Sequence, residues 1–281
     1  MSQIITNKAQ LVKALNPYRK KGLSIGFVPT MGALHEGHAS LMSQAKRETD
    51  LTVLSIFVNP RQFNDLLDFE KYPRTLSEDI ARAEGERVDI VYLPQYEELF
   101  GEDSPASRVN LNGLDEPMEG AFRPGHFRGV IEVVHSLFNH VKPQIAYFGQ
   151  KDFQQLAVIR AMVSALDLPV FIVSCPTHRE TDGLAMSSRN LRLTKRQRQA
   201  ASGIYKALSI IRDAWQKEPT QDLIHRATEM VRQSHLILEY LVVVNPNTLA
   251  PIEPTDDTAV VCIAAYCGEV RLIDNMLLSA D

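Results

Sequence analysis

The sequence predicts an α/β protein, with a Rossmann-like, mostly parallel sheet followed by a smaller C-terminal α+β domain. Five strand-like runs alternate with helical patterns up to residue 174, which is typical of parallel sheets built from crossover units. The run at 51–58 is β-branched and mostly apolar on both faces, as a buried parallel strand is. Beyond residue 190 helices are followed by strands. We therefore expect one domain over residues 1–186 and a second over 187–281.

Each element of the larger domain has a local signal. Asn7 is expected to cap the first helix, and Thr75 with Glu78 fits a capping box at the start of another. The expected strands cover residues 23–28, 51–58, 88–93, 145–148 and 169–174. The expected helices cover residues 8–19, 75–87, 126–141 and 152–166, with one more marked by Leu41, Met42 and Ala45. Residues 95–125 interrupt the pattern with Gly, Pro, Asp and Glu, which predicts a lid or substrate-side excursion.

The smaller domain is expected to hold two helices and then three strands. The first of its helices is charged and amphipathic, and a turn at Gly268 separates the last two strands. The expected helices cover residues 194–217 and 221–234, and the expected strands cover residues 236–244, 259–266 and 271–274.

Composition limits the possible functions. The 281 residues include 30 Lys and Arg against 34 Asp and Glu, and this net charge of −4 argues against nucleic-acid binding through a general basic surface. Three cysteines show no paired framework, which is typical of a reducing cytosol. No apolar stretch approaches the roughly 20 residues of a membrane span, and no secretory signal is visible. We expect a cytoplasmic protein without membrane or nucleic-acid partners.

The segment at 26–38, GFVPTMGALHEGH, occupies a strand-to-helix turn. A helix start leaves backbone N–H groups unpaired and carries partial positive charge, so it favours phosphate binding. Gly32 and Gly37 lack the Cβ atoms that would keep phosphates or a base away from the backbone. His35 and His38 lie three residues apart and can face the same ligand. We predict that ATP binds here.

Further segments carry groups that such a site needs. Asn59 and Gln62 follow the second predicted strand, where neutral amides suit a small polar substrate. Gly149, Gln150, Lys151 and Asp152 form another strand-to-helix turn, with Gln155 one helical turn further on; Asp152 could equally be a helix cap. Met186, Ser187, Ser188 and Arg189 combine hydroxyls with a guanidinium, as a phosphate clamp would, or form a polar interdomain loop. Arg123 and His126, judged by chemistry alone, are expected on the surface.

Two other interpretations of the histidines stay open. His35 and His38 with His126 or His135 could bind zinc, although the spacing is not that of zincins and no cysteine or carboxylate lies at ligand spacing nearby. Both histidines could also be structural in a glycine-rich turn. Phosphate chemistry accounts better for the glycines, the lysine and the helix starts together.

These motifs, taken in order, resemble those of the pantoate–β-alanine ligase family. The resemblance covers nearly the whole chain and rests on PTMGALHEGH at 29–38, FVNP at 57–60 with QF at 62–63, RPGHF at 123–127, GQKD at 149–152 with Gln155, DGLAMSSRN at 182–190 and RLIDNM at 271–276. It implies membership of the HIGH/KMSKS nucleotidyltransferases, with 35–38 as the first signature and 186–189 as a variant of the second. It also implies a catalytic domain, a C-terminal lid domain and a homodimer.

The resemblance assigns roles to residues of this sequence. It implies ATP contacts from Met31, Gly32, Ala33, Leu34, His35, Glu36, Gly37, His38, Gly149, Gln150, Lys151, Asp152, His178, Met186, Ser187, Ser188 and Arg189. It implies pantoate or β-alanine contacts from Gln62, Gln155 and Asn59. The catalytic groups would be His35, His38, Lys151 and Arg189, with His38 as proton donor.

The implied reaction forms a pantoyl adenylate from pantoate and ATP and then transfers the acyl group to β-alanine. Mg²⁺ would arrive with ATP, on phosphate oxygens and water, without a protein cage. The chain departs from expectation at His178, where a small apolar residue would stand beside adenine, and Ser188 takes a place that is lysine in many members of the wider class. Two alternatives remain: a related nucleotidyltransferase with another acceptor, and a nucleotide-binding protein without catalysis.

Overall fold

The computed structural model describes residues 1–100, 104–253 and 256–279, and the chain divides into two compact units. The first unit comprises Met1–Gln150 and Gln154–Pro176, and the second comprises Lys151–Phe153 and Thr177–Asp281. The second unit thus includes a short piece of chain around Lys151 besides the C-terminal part. The functional division after residue 186 stays a prediction.

The first unit is built on a six-stranded sheet in which every pairing is parallel, in the order β1-β4-β3-β2-β5-β6. In chain order the strands are β1 (Gln3–Ile5), β2 (Ile25–Thr30), β3 (Leu51–Ile56), β4 (Ile90–Tyr92), β5 (Ile145–Gly149) and β6 (Phe171–Cys175). The order runs outward from β2 through β3 to β4 and then returns to β5 beside β2. The edge where ligands bind in such sheets is therefore at the carboxyl ends of β2 and β5.

Helices cover both faces of this sheet. In chain order the helices of this part of the chain are α1 (Lys8–Lys20), α2 (Glu36–Glu48), α3 (Leu66–Glu70), α4 (Leu76–Gly85), α5 (Tyr96–Leu99), α6 (Glu119–Phe122), α7 (His126–Val141) and α8 (Phe153–Ala165). Phe27 points into the core formed with α1, α7 and α8, while the next residue, Val28, points into the core formed with α2 and α4. This alternation along β2 is what a parallel strand buried on both faces requires.

The second unit is an α+β structure. Its antiparallel sheet has the order β7-β8-β9, and its helices pack on that sheet through a core that includes Ile204, Leu208 and Val261. The elements are α9 (Lys195–Ala201), α10 (Gly203–Ala214), α11 (Thr220–Gln233), β7 (Ile237–Val244), β8 (Thr258–Cys267) and β9 (Val270–Ser279). A parallel α/β sheet followed by an α+β unit confirms the predicted fold class.

Several local predictions are confirmed and others are corrected. Asn7 caps α1, accepting a hydrogen bond from Gln10 N at 2.9 Å. Thr75 makes no side-chain cap, because its hydroxyl donates to Asp79 Oδ1 instead. The helix expected over 194–217 is two helices that meet at Ser202, and β9 runs beyond the expected 271–274.

β1, a strand of three residues, was not predicted from the sequence, because so short a run has no detectable period. Of the excursion at 95–125, residues 101–103 lie outside the described residues. In the part of the chain that the structure describes, no helix has the length and apolar character of a membrane span.

Candidate active site

The first unit brings three predicted segments to one edge of its sheet. Residues 31–38 follow β2, Asn59 and Gln62 follow β3, and Gln150 follows β5. Because β2 pairs with both β3 and β5, these segments leave the sheet side by side. Gln150 N donates to the Cys175 carbonyl at 2.8 Å, which ties the turn after β5 to the end of β6. Parallel sheets commonly bind ligands at this edge, which makes it the candidate site.

His35 and His38 form a reciprocal cap at the start of α2. His35 is the N-cap residue and its Nδ1 accepts from Gly37 N at 3.1 Å, while His38 Nδ1 accepts from His35 N at 3.2 Å. The ring centroids lie 4.1 Å apart. A ring nitrogen that accepts a hydrogen bond carries no proton, so in each neutral imidazole the proton is on Nε2. Each neutral ring thus has its N–H on the nitrogen that does not accept from the backbone.

Asp79 of α4 holds the loop that leads to these histidines. Its carboxylate accepts from Ala33 N at 3.0 Å and from Leu34 N at 2.7 Å, and the Thr75 hydroxyl donates to it at 3.2 Å. The side chain is buried, with 2% of the residue exposed. Asp79 was not among the site residues predicted from the sequence. A carboxyl one helical turn before the buried Ala83 was the available signal, because it indicates an acid on the inward face of α4.

The amides after β3 form a small buried network. Asn59 is almost fully buried, and its amide donates to the Gly129 carbonyl at 2.9 Å and to Gln62 Oε1 at 3.1 Å. Gln62 Nε2 in turn donates to Met31 Sδ at 3.2 Å. The bond from Asn59 leaves the Gln62 amide with its N–H₂ side toward the loop after β2, so Asn59 sets the direction of the Gln62 side chain.

Arg123 and His126 are part of the same network, and the expectation that they lie on the surface is wrong. His126 is buried and its Nδ1 donates to the Gln62 carbonyl at 2.7 Å. Arg123 Nη2 donates to the same oxygen at 2.9 Å. The left-handed Gly125 directly before α7 starts the helix so that its first residue, His126, points inward. The chemistry of the two side chains gave no sign of this, because their partner is a backbone atom.

Two neighbouring glutamines of α8 differ in their surroundings. Gln154 is buried and bonds to backbone atoms of Leu114, Pro117 and Glu119, so it anchors the excursion before α7. Gln155, the predicted ligand, is half-buried.

At the end of β6, burial raises the pKa of the Cys175 thiol to about 11, and the thiol donates to Gln44 Oε1 at 3.1 Å. This cysteine is therefore protonated at neutral pH and is not a nucleophile.

In the second unit, the backbone of Lys151 is fixed by β9. Asn275 is buried and its amide donates to the Lys151 carbonyl at 2.8 Å. The Lys151 ammonium lies 3.7 Å from Asp152 Oδ1, with 15% of the lysine side chain exposed. A lysine shielded in this way keeps its charge close to the turn and away from bulk water.

The predicted second signature follows a short hairpin in the same unit. Arg179 pairs with Ala185 in an antiparallel bridge, and Met186 N donates to the His178 carbonyl at 2.9 Å. Ser187 caps a 3₁₀ turn over Ser188–Arg192 by accepting from Arg189 N at 3.3 Å. His178 stands where a small apolar residue was expected, and its side chain is exposed.

A buried ion pair anchors this hairpin. Both terminal nitrogens of Arg179 bond to the Asp274 carboxylate, at 2.5 and 3.0 Å, and one of them also donates to the Gly183 carbonyl. Burial raises the pKa of Asp274, and the Arg179 guanidinium opposes that rise. Neither residue was predicted as a site residue from the sequence, although Asp274 lies in RLIDNM at 271–276, one of the matching motifs. Losing either partner would leave a buried charge without compensation.

Comparison with known proteins identifies the family. The family model for pantoate–β-alanine ligase matches residues 3–277. The chain belongs to the pantoate–β-alanine ligase family. Pantothenate synthetase of Porphyromonas gingivalis is 48% identical over 278 residues, which cover 98% of each chain. That of a Sulfurihydrogenibium species is 45% identical over 278 residues, covering 98% of this chain and 99% of its own.

Solved structures agree with the sequence comparisons. Pantothenate synthetase from Thermus thermophilus superposes with a TM-score of 0.89 at 39% identity, over 99% of this chain and all of the other. The pantoate–β-alanine ligase of Francisella tularensis superposes with a TM-score of 0.81 at 33% identity, over 99% of this chain and 98% of its own. The fold and the enzyme class predicted from the sequence are thereby confirmed, and the roles of single residues stay predictions.

The zinc interpretation of the histidines finds no support in the described residues. Across 1–100, 104–253 and 256–279, no three His, Cys, Asp or Glu side chains group as a metal site would require. His35 and His38 each use Nδ1 to accept a backbone N–H. Through these bonds the two rings hold the loop and the start of α2.

Proposed function

We propose that this member of the pantoate–β-alanine ligase family joins pantoate to β-alanine in two steps, through a pantoyl adenylate. In the first step a pantoate carboxylate oxygen attacks the α-phosphorus of ATP, and the bond from that phosphorus to the bridging oxygen breaks, releasing pyrophosphate. In the second step the β-alanine amine attacks the acyl carbon, AMP leaves, and the amine loses a proton. The products are pantothenate, AMP and pyrophosphate.

The observation that carries this proposal is the reciprocal cap of His35 and His38. It supports two Nε2–H donors at the start of α2, at the carboxyl edge of a parallel sheet where an anionic ligand is favoured. Donors aimed at developing charge stabilise a transition state more than a ground state. In this proposal the two imidazoles bind phosphate oxygens, and His38 donates its proton to them. The residues 31–37 and 149–152 line the nucleotide, with Asp152 toward the ribose.

Residues of the second unit are assigned the role of neutralising the charge on the leaving pyrophosphate. Lys151 supplies a point charge, while Ser187, Ser188 and Arg189 supply a hydroxyl and guanidinium clamp. Met186 and the backbone of His178 are assigned to adenine. The fixed backbone of Lys151 and the capped turn at Ser187 support these roles, since each holds its neighbours in a defined conformation.

Pantoate is assigned to Gln62 and Gln155, with Asn59 as the residue that orients Gln62. The chain of bonds from Gly129 through Asn59 to Gln62 supports this division of roles. The Francisella relative is described as complexed with β,γ-ATP and β-alanine, and both ligands fit the chemistry proposed here. Neutral amides suit pantoate because they can bind hydroxyl and carboxylate oxygens without adding charge.

The remaining assignments extend this proposal. Mg²⁺ enters bound to ATP, because the ion prefers phosphate oxygens and water to a cage of protein ligands. Residues 1–186 act as the catalytic domain and residues 187–281 as the lid domain. The enzyme works as a homodimer in the cytoplasm.

Pyrophosphate exchange tests the first step. Labelled pyrophosphate should enter ATP only when pantoate is present, and β-alanine should not be required, because the adenylate forms before β-alanine reacts. Exchange that needs a different carboxylate would indicate a related nucleotidyltransferase. ATP binding without any exchange would indicate a non-catalytic nucleotide-binding protein, and either result would refute the proposal.

A further inference from the structure

The loop between β2 and α2 has an unusual backbone. Gly32 has a φ of +80° and Ala33, which carries a side chain, has a φ of +48°. Glycine adopts a positive φ readily, whereas the Cβ of Ala33 makes the left-handed region unfavourable for it. Ala33 is also buried, so its backbone N–H needs a partner within the protein. The loop therefore depends on outside groups to keep this conformation.

Asp79 is the group that meets this need. Its two carboxylate oxygens accept from different donors. Oδ2 accepts from Ala33 N, and Oδ1 accepts from Leu34 N and from the Thr75 hydroxyl. The loop and the carboxylate also touch directly, since a Cβ on Gly32 would stand 2.8 Å from Asp79 Oδ2. Asp79 lies in the first turns of α4, where the helix favours a negative charge.

We propose that Asp79 is a positioning residue that holds the loop so that His35 and His38 present their Nε2–H groups to the phosphates. The N–H of Leu34 donates to Asp79. The next residue is His35, and its N–H donates to Nδ1 of His38. A shift of the loop at Leu34 therefore moves the N-cap and breaks the cap that sets both tautomers. This inference rests on the function proposed above for the two imidazoles.

The geometry requires a carboxylate and not an amide. An asparagine at this position could accept from Leu34 N with its oxygen, but its N–H₂ would then face the Ala33 N–H, donor against donor. The Ala33 N–H would lose its bond to Oδ2, and the left-handed conformation would lose the restraint that this bond provides. Asp79→Asn is accordingly the sharpest test, because it keeps the size of the side chain and removes one acceptor.

The experiment compares wild type and D79N in two assays. The first measures kcat for pantoate-dependent pyrophosphate exchange and, separately, aminolysis of supplied pantoyl adenylate by β-alanine. We expect D79N to lower the exchange kcat about 10²-fold, the scale for a catalytic group misplaced by about 1 Å. Aminolysis should change only a few-fold, because no pyrophosphate leaves in that step.

The second assay needs no turnover. The ¹⁵N shifts of labelled histidine report which ring nitrogen carries the proton, and H35N and H38N samples assign the signals. Wild type should show Nε2–H tautomers for both rings, and D79N should show a mixture with Nδ1–H for at least one of them.

Two control variants separate positioning from general stability. Asp89 also accepts a backbone N–H, that of Thr52 at 2.8 Å, but it does so at the amino end of β3. D89N should lower stability while leaving the exchange kcat and both tautomers as in wild type. T75V removes only the third hydrogen bond to Asp79, and its exchange kcat should fall by less than about tenfold.

The outcomes are distinct. If D79N keeps either the wild-type exchange kcat or the wild-type tautomers, Asp79 does not position the histidines. An equal loss in both half-reactions also overturns the proposal, because it indicates general damage.

The test still decides the role of Asp79 if D79N does not fold or if wild type shows no exchange. Should D79N fail to fold, Gly32→Ala disturbs the same contact from the loop, and the same pair of signatures is required of it. Wild type without pantoate-dependent exchange would refute the proposed function, and the tautomer assay would still decide the role of Asp79.

Discussion

At the scale of single residues, proton positions decide what the two histidines can do. An imidazole that donated through Nδ1 would offer its lone pair outward and would repel a phosphate oxygen. Because backbone N–H groups bond to Nδ1 of both His35 and His38, each neutral ring has its N–H on Nε2 and can act there as a donor without added charge. In HEGH the first histidine is the N-cap residue and the second is the third residue of the helix. A reciprocal cap requires this spacing, because side chains at these two positions can reach each other's backbone.

Lys151 provides a prediction at this scale. We expect Lys151→Ala to lower the rate of pyrophosphate exchange by about 10²-fold or more, the usual scale for losing a preorganised charge at a transition state. The loss should appear in kcat more than in the KM for pantoate, because pantoate is assigned to other residues. Single-turnover adenylate formation, followed by quenching, measures the step directly.

A matched lysine in the same unit controls for the change of net charge. Lys195, at the start of α9, is exposed, and Lys195→Ala should leave exchange unchanged. A K151A enzyme that stays within a few-fold of wild type would remove Lys151 from the mechanism.

The sequence alone predicted the residues whose chemistry is visible in a local motif. His35, His38 and Lys151 stand beside glycines at strand-to-helix turns, so residue type and position agree. Asp79 could not be found in this way, since its two partners in the loop lie 45 and 46 residues away and are backbone atoms that any sequence possesses. His126 was misjudged for the same reason, because a backbone carbonyl leaves no trace in the sequence.

At the scale of elements, α7 approaches the turn after β3 more closely than a side chain would permit. A Cβ on Gly129 would stand 2.4 Å from the Arg61 carbonyl oxygen and 2.9 Å from Gln62 N. The same approach lets Asn59 reach the Gly129 carbonyl and lets His126 reach that of Gln62. The helix thus fixes the backbone of Gln62, the residue proposed to bind pantoate.

We expect Gly129→Ala to disturb this approach. The free energy of unfolding should fall by about 1–3 kcal/mol, the range for overpacking a well-packed contact. The KM for pantoate should rise as well, since the clash moves α7 away from Gln62. Urea unfolding and steady-state kinetics measure the two effects.

Gly85, also within a helix, has no atom near its missing Cβ and serves as the control. Gly85→Ala should be neutral or slightly stabilising, and its KM should not change. Equal effects of G129A and G85A would show that helix propensity, and not close approach, governs the first variant.

Helices and strands were predicted correctly where the hydrophobic pattern ran over many residues. They were predicted wrongly where tertiary contacts determined the ends of an element. The expected helix over 126–141 matches α7, because its apolar stripe is continuous. The break between α9 and α10 was missed, since every residue around it is compatible with a helix. There Gly203 packs against Ser234, a contact that no local pattern reveals.

At the scale of the whole molecule, one buried histidine links stability to pH. His140 of α7 is almost fully buried beneath the sheet, where Nδ1 bonds to the Tyr92 hydroxyl at 2.9 Å. Burial lowers the pKa of His140 to about 4, with the Lys8 charge adding to that effect and Glu98 opposing it. Burial lowers the pKa of His135 in the same direction. Both rings are therefore neutral in the folded protein at neutral pH.

The sign of the effect follows from proton uptake. Between pH 6.5 and about 4 the unfolded chain binds a proton at His140 that the folded chain does not bind. Stability should therefore be greatest at and above pH 6.5 and should fall as the pH is lowered through this window. The contribution of His140 amounts to roughly 3 kcal/mol at most, since one pKa unit corresponds to about 1.4 kcal/mol.

His140→Asn tests this expectation, because an amide can bond to the Tyr92 hydroxyl and does not titrate. We expect the variant to lose less stability than wild type between pH 6.5 and 4, although its stability at pH 7 is lower. Urea unfolding at several pH values gives the two slopes. His235 is exposed at a φ of +57°, a conformation that asparagine accepts, so His235→Asn is the matched control and should keep the wild-type slope. A wild-type slope in H140N would mean that another buried group, such as His135, governs the acid sensitivity of the fold.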